Sequence, residues 1–333
     1  MKALLSALLV APLLMPASAF AAEASSAPAT TIPDQPILVA NPPAANPAPA
    51  ALTPAPATQS ATGPYADTIP VPAATPEEKG GFAGFFQNFY QDPDAYSITS
   101  IGHGLSTHKP MYLLPVTYSK DFSGNHTEVI FQISAKQKLF DTDFYIGYSQ
   151  KSFWQLYNRK ESSPFRETDY NPEIFYRWTP NVDWLNHWGT DVGFEHESNG
   201  RSLPESRSWN RVYFAPFQAK GQYLVYLKFW YRIPEKDKTS PTDAEGDDNP
   251  DIERFYGHAE LQLQRQFFHN HLAHLTVKGN VNTGKGSVAL NYSIPSGHGS
   301  VFYCLNFFSG YGESLIDYNH AITRIGIGVM VAR

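Results

Sequence analysis

TRIGIGVMV, residues 323–331, reads one way in its odd positions and another in its even ones. Ile325, Ile327, Val329 and Val331 alternate with Arg324, Gly326, Gly328 and Met330. Successive side chains of an extended chain point to opposite faces, so this is a strand with one apolar and one polar face. GSVALNYSI (286–294) repeats the pattern through Val288, Leu290, Tyr292 and Ile294, and Tyr223, Val225, Leu227, Phe229 and Tyr231 repeat it against Lys228 and Arg232. A soluble β-sandwich also alternates, so the fold turns on which face is inside. The polar rows are long and carry glutamines and charges, as in Glu260, Gln262, Gln264 and Gln266, while the opposing rows are rich in Tyr, Phe, Leu and Val. Alternating segments of about ten residues with this contrast predict an all-β chain, a transmembrane barrel that is apolar outside and polar inside.

The amino terminus supplies the address. MKALLSALLVAPLLMPASAFAAE carries Lys2, an apolar run through Met15 and the small residues Ala17, Ser18 and Ala19, the pattern of a secretory signal peptide over residues 1–22. No later run reaches the roughly 18 apolar residues that a membrane-crossing helix needs, which leaves strands as the means of spanning. Residues 23–79 are almost all Ala, Pro, Thr and Ser, too poor in apolar bulk to offset their ordering entropy, and read as a disordered, partly polyproline-like tether. In residues 80–95, Phe82, Phe85, Phe86, Phe89 and Tyr90 share one helical face, suited to the membrane interface or to the barrel rim. The barrel domain is assigned to residues 96–333.

Composition narrows the partners. The net charge of -6 and the absence of clustered Lys and Arg argue against nucleic acid. The single cysteine, Cys304, lies in VFYCLNFF and reads as a packed wall residue. His258, His269, His271 and His274 lack the HExxH arrangement of a zinc enzyme, and no GxSxG elbow marks a soluble α/β-hydrolase. Asp247, Asp248 and Asp251 read either as a metal site or, more simply, as an acidic turn on a solvated loop.

A coarse parse gives twelve antiparallel strands, near 96–106, 127–139, 142–157, 172–178, 187–198, 208–217, 222–233, 252–268, 271–281, 285–295, 299–309 and 321–332. Connections at Asp141, at 219–222, at Asn270 and at 296–298 are tight, with 179–186 longer. Those at 107–126, 158–171, 199–207, 234–251 and 310–320 are long. Short periplasmic turns and longer extracellular loops are the habit of such barrels, which places 199–207 outside the cell.

One stretch carries chemistry. In FEHESNGRSLPESRSWNRV (194–212), Val192, Phe194, His196 and Ser198 share a face, and so do Asn210, Val212 and Phe214. Apolar neighbours mark that face as the lipid side. Unpartnered polar groups are costly there, so mutual hydrogen bonding is the simplest way to tolerate them. A hydroxyl, an imidazole and an amide carbonyl in series also make a nucleophile, its general base and the group that fixes the base's tautomer. Spacing alone leaves open a second reading, polar residues of the interface girdle with no catalytic task.

The string HESNGRSLPESRSWNR, with QKSFWQLYNRKESSPFRETDYNPE (150–173), DDNPDI (247–252) and SGYGESLIDYN (309–319), resembles the outer membrane phospholipase A family, the detergent-resistant phospholipases of Gram-negative bacteria, across essentially the whole barrel. The resemblance implies Ser198 as nucleophile, His196 as base, Asn210 as the residue orienting the histidine and Gly200 as part of the oxyanion region. It further implies a calcium-dependent enzyme of the outer membrane that hydrolyses acyl esters of phospholipids and lysophospholipids, at A1 and A2 positions, and is active as a homodimer. Calcium would be held by the Arg201 carbonyl and the Ser206 hydroxyl of one subunit and by Ser162 of the other. Gln150 matches a polar residue of the dimer interface. A second, monomeric calcium site would use Asp248, but Leu203 stands where the family can place an aspartate, and leucine cannot ligate.

The leading expectation is therefore a barrel lipase whose site faces lipid because its substrate is lipid. The rival from another class is a non-catalytic porin or structural barrel. Against it, the many Arg, Gln, Glu and aromatic residues aimed inward predict a filled lumen.

Overall fold

The structure, a computed structural model, describes residues 97–99, 101, 105–240, 243, 245–297 and 301–333. The expected signal peptide (1–22), tether (23–79) and aromatic segment (80–95) lie outside the described residues. Strands β1 (Leu105–Thr107), β2 (Met111–Ser119), β3 (Val129–Lys138), β4 (Phe144–Trp154), β5 (Phe165–Trp178), β6 (Trp188–Ser198) and β7 (Ser208–Lys220) follow one another. They continue as β8 (Tyr223–Arg232), β9 (Ala259–Gln266), β10 (Leu272–Asn280), β11 (Lys285–Pro295), β12 (Phe302–Tyr311) and β13 (Ala321–Ala332). All lie in one antiparallel sheet, and β13 pairs back onto β2, closing it. β1 and β2 both pair with the same side of β3, Leu105 opposite Gln137 and Tyr112 opposite Gln132, so they form a single interrupted position and the barrel has twelve. Closure joins the first long strand to the last, so the sheet is not left open on one side, the condition for backbone to lie in lipid.

Four boundaries differ from the sequence reading. Residues 97–99 form a turn rather than the start of a strand, and the stretch expected as an outer loop at 107–126 contains the whole of β2. Pro115 hides that strand: Leu114 and Thr117 face inward while Pro115 and Val116 both face out, a bulge that breaks strict alternation. β5 begins at Phe165 rather than 172, because Pro172 sits inside a strand whose alternation continues on both sides of it. The stretch 252–268 opens with a short helix, α1 (Glu253–Tyr256), that ends at Gly257 with φ +70°, before β9 begins.

The two ends of the barrel differ as expected. Connections 120–128, 155–164, 199–207, 233–258 and 312–320 are long, and only 281–284 on that side is short. At the other end, 221–222 and 267–271 are tight and 179–187 is longer. Trp178, Trp184, Trp188 and Tyr223 are exposed there, as in an aromatic girdle.

The outward rows are exposed and apolar, with Val192 at 51% and Phe194 at 39% exposure, as lipid-facing positions must be. The inward rows fill the lumen. Arg177, at 2% exposure, makes two 2.7 Å bonds to Asp191 and a third to the Ile98 carbonyl, which Lys136 also approaches. Arg324 bridges Glu313 and Glu128, each at 2.8 Å. Glu173 accepts from His108 and Tyr213, both at 2.7 Å. Toward the long-loop end, Trp209, Trp230, Phe255, Tyr256 and Tyr318 pack as an aromatic plug. Two adjoining cavities of about 120 and 240 Å³ share Lys109, Asn171, Glu197 and Lys278 in their walls. Cys304 is buried with Tyr112, Leu114 and Phe302, a wall residue as expected.

Candidate active site

His196 and Asn210 stand directly opposite each other across β6 and β7, near the long-loop end. Cross-strand neighbours approach closely enough for side chains to pair, and His196 Nδ1 lies 2.9 Å from Asn210 Oδ1. An amide oxygen only accepts, so Nδ1 carries the hydrogen and Nε2 is left with its lone pair. Ser198 follows on the same face, opposite Tyr170 of β5 and Ser208 of β7. Among the described residues no hydrogen bond joins Ser198 Oγ to the ring. All three residues are half-buried and lie beyond exposed Phe194 and Val212 on the lipid side.

The backbone under His196 has a support that the sequence did not reveal. In the β5–β6 register Pro172 falls opposite His196, with Tyr170 paired to Ser198 and Glu173 to Glu195 on either side. Proline has no N–H for the ladder. The Asn171 amide donates instead, 2.9 Å from Nδ2 to the His196 carbonyl, and Lys109 holds Asn171 Oδ1 at 2.7 Å from inside the lumen.

The loop 199–207 is built around Asn199, which is 4% exposed. Its Nδ2 donates to Glu167 at 3.0 Å and to the Glu205 carbonyl at 2.8 Å. Its Oδ1 accepts from the amides of Arg207 at 2.9 Å and Arg201 at 3.3 Å. Gly200 has φ +63°, and a Cβ there would come 3.2 Å from the Tyr170 ring, so both backbone and space call for glycine. The Arg201 side chain turns inward to Glu167 at 3.0 Å and also pairs with Glu205.

Ser206 donates to Asp248 Oδ2 at 2.5 Å. That bond uses the hydroxyl hydrogen and leaves the oxygen's lone pairs available. Among the described residues no three His, Cys, Asp or Glu side chains converge as a metal cluster. The calcium donors expected from the resemblance are of another kind, a carbonyl and hydroxyls. Neutral oxygens suit a hard cation, so the residues fit calcium in type, though Arg201 and Ser206 supply only part of the six to eight oxygens it takes. Ser162 is exposed on loop 155–164 at φ 61°, on the same end of the barrel. Gln150 faces outward from β4 and bonds within its own chain, accepting from Tyr148 at 3.0 Å and donating to Ser152 at 3.2 Å.

The acidic turn is not a solvated loop. Asp247 pairs with Arg232 at 2.7 Å, Asp248 pairs with Lys238, and Asp251 accepts from Tyr318 at 2.5 Å, so the segment is clamped onto the barrel mouth. Burial, with Asp251 beside it, pushes the Tyr318 hydroxyl above the ordinary tyrosine range. His258 pairs with Glu253 on the surface and His274 bonds Gln262 in the lumen, the ordinary roles expected of them.

A model of the phospholipase A1 family matches residues 97–331. A putative phospholipase A1 of Neisseria meningitidis is 35% identical over 295 residues, 76% of this chain and 75% of that protein. The phospholipase A1 of Salmonella typhimurium is 40% identical over 225 residues, 65% of this chain and 73% of that one. Among solved structures, outer membrane phospholipase A from Escherichia coli superposes with a TM-score of 0.60 at 35% identity, covering 68% of this chain and 98% of that chain. The Salmonella typhi outer membrane phospholipase dimer with bound calcium gives the same score and identity and covers 92% of its own chain.

Proposed function

The chain belongs to the phospholipase A1 family, and from that premise we propose that it hydrolyses the acyl esters of phospholipids and lysophospholipids at a Ser198-His196-Asn210 site on the lipid face of its barrel. The protein is a twelve-stranded outer-membrane β-barrel. The observation that carries the reading is the 2.9 Å pair between His196 and Asn210, set on the outer face two residues from Ser198. No soluble cleft is needed, because the acyl chains arrive from the surrounding leaflet.

Asn210 keeps the Nδ1 hydrogen of His196 in place, so Nε2 can take the proton of Ser198 Oγ as that oxygen attacks the ester carbonyl. The Gly200 amide lies in the region where the oxyanion develops. His196 then protonates the leaving alcohol, either position of the glycerol backbone being a candidate. Water, deprotonated by the same imidazole, attacks the acyl-enzyme and frees Ser198.

The Arg201 carbonyl and the Ser206 hydroxyl, with Ser162 of a second copy, would hold calcium, which would supply positive charge to stabilise the oxyanion. Two neutral oxygens from one chain leave its coordination incomplete, which ties activity to a homodimer with Gln150 in its interface. At Asp248 the cation is already Lys238, and with Leu203 at the position where the family can place an aspartate, a separate monomeric calcium site lacks the acidic pair to bind it.

The test is fatty-acid release by the detergent-refolded protein, with excess calcium or with chelator, for wild type and Ser198→Ala. Calcium-dependent release that vanishes in the variant is expected. Equal release by both overturns Ser198 as the nucleophile, and no release from a folded wild type under dimer-favouring conditions overturns the assignment in favour of a non-catalytic barrel.

A further inference from the structure

We propose that Glu235 is a positioning residue of the hydrolytic site, its carboxylate holding the Asn210 amide in the one orientation that keeps His196 a base. Asn210 Nδ2 donates to Glu235 Oε1 at 3.3 Å, on the far side of the amide from His196. The inference rests on the proposed roles of Ser198, His196 and Asn210 and adds a fourth member to them.

The placement follows from the chain. β8 ends with Arg232 opposite Arg211, and the Ile233 amide extends the ladder by one bond, 2.8 Å to the Asn210 carbonyl. Pro234 has no N–H and stops it. Phe229, Tyr231, Ile233 and Glu235 share the outward parity, so Glu235 is the first charged member of a lipid-facing row and lies diagonally across from Asn210.

The carboxylate decides the amide's orientation. The two ends of an asparagine side chain are nearly equal in size and opposite in hydrogen-bonding sense. Turned over, Asn210 would set its oxygen against the acceptor-only carboxylate and its NH₂ against Nδ1. His196 would then be driven to the tautomer with hydrogen on Nε2, unable to take a proton from Ser198. Glu235 makes that arrangement repulsive.

It also supplies charge that the neutral amide lacks. A negative group one amide away from the ring favours the imidazolium formed during attack, while the amide keeps it from pairing with the ring directly. The groups facing Glu235 are Asp247 and Asp248 of its own loop, Arg232 at the end of β8 and Asn210 of β7, with Lys238 paired to Asp248. Burial, then Asp247, raise its carboxyl above the usual glutamate range, while Arg232 and the Asn210 bond pull the other way.

The experiment is a pH series of kcat and KM in the full-length, detergent-refolded protein at saturating calcium. The variants are Glu235→Gln, Glu235→Ala, Asn210→Ala and the double Asn210→Ala/Glu235→Ala. Glu235→Ala is expected to lower kcat about tenfold with KM nearly unchanged, the size of one well-placed interaction. Glu235→Gln retains an acceptor without charge, so its loss is smaller. Its acid limb of kcat/KM moves to lower pH, since removing a negative charge beside an imidazolium lowers its pKa. The double variant should be no slower than Asn210→Ala alone, because Glu235 acts through that amide.

An unmoved acid limb in Glu235→Gln, or a double variant whose loss is the product of the two single losses, overturns the proposal. Should Glu235→Ala fail to fold, the near-isosteric Glu235→Gln decides it. Failure of the underlying assignment shows separately, as hydrolysis that survives Ser198→Ala.

Discussion

Pro172 stands opposite His196 in the sheet, and the hydrogen bond it cannot give is given by its neighbour's side chain, Asn171 Nδ2 to the His196 carbonyl at 2.9 Å. A lumen residue thus fixes the backbone of a residue whose ring faces lipid. Removing the amide leaves that carbonyl without a donor, worth about 1 kcal/mol for a neutral bond. Asn171→Ala is expected to lower kcat roughly five- to tenfold with KM unchanged. Pro172→Ala restores a ladder N–H at the same place, so Asn171→Ala/Pro172→Ala should recover much of the loss. Steady-state kinetics of the three variants check this, and a double variant slower than Asn171→Ala removes the argument.

Asn199 is the staple of loop 199–207, and its four bonds join Glu167, Glu205, Arg207 and Arg201. Asn199→Ala frees two amide hydrogens and the Glu205 carbonyl at once, while Glu167 keeps Arg201 and the Ile316 amide, so the three backbone bonds lost amount to about 3 kcal/mol if each counts for one. The Arg201 carbonyl and the Ser206 hydroxyl ride on this loop. The variant should therefore need far more calcium for half-maximal hydrolysis, on the order of a hundredfold by that sum. A calcium titration followed by fatty-acid release measures the shift. An unchanged midpoint would separate the loop's shape from metal binding.

How much of this was legible in the sequence depends on whether one strand or two carry the information. The lipid face of β6 and β7 is written in the alternation of each, so the shared side of His196, Ser198 and Asn210 follows from the residue order alone. β2 and the first half of β5 do not, because Pro115 and Pro172 read locally as breakers while the closed sheet tolerates them, through a bulge at one and a side-chain donor at the other. Asn171 was lost with that strand. Glu235 had a signal, its parity with Tyr231 and Ile233, but its partner is reached diagonally across a hairpin and no spacing rule marks it. The acidic turn at 247–251 looked solvated because Arg232, Lys238 and Tyr318, which neutralise it, come from separate parts of the chain.

Gly200→Ala tests the crowding of the turn proposed to hold the oxyanion. Alanine at φ +63° costs about 1 kcal/mol or somewhat more in backbone strain, and its methyl meets the Tyr170 ring. Activity should fall at least about fivefold. Tyr170→Ala in the same chain relieves the contact but not the dihedral, so rescue should be partial in thermal stability as well as in rate. Full rescue would show that the ring contact alone mattered.

The short-turn end of the lumen should carry stability without carrying chemistry. Arg177 and Asp191 form a buried, two-pronged pair remote from Ser198 along the strands. Breaking one partner leaves a buried charge, at about 3–5 kcal/mol, whereas replacing both with apolar residues can be neutral. Arg177→Met should lower the urea midpoint of the refolded barrel sharply, and Arg177→Met/Asp191→Leu should recover most of it. The kcat of the folded fraction should not change in either. A single variant as stable as wild type would mean that water in the lumen already solvates Asp191.

The proposed sharing of calcium between two copies makes a complementation test possible. Ser198→Ala chains form dimers with no nucleophile but with intact Ser162. Ser162→Ala chains keep the nucleophile but give each site an incomplete calcium shell, so at limiting calcium both homodimers should be nearly silent. In a mixed dimer the Ser162→Ala chain keeps its own Ser198, Arg201 and Ser206 and receives Ser162 from its partner, restoring one of two sites. A two-fold interface pairs like and unlike chains equally, so an equimolar mixture should regain about a quarter of wild-type turnover. Hydrolysis at limiting calcium, followed as the two variants are mixed in different ratios, should peak near equal amounts. A mixture that stays at the sum of its separate rates would mean that each barrel completes its own calcium site, and the link between activity and dimerisation would then have to lie in substrate binding alone.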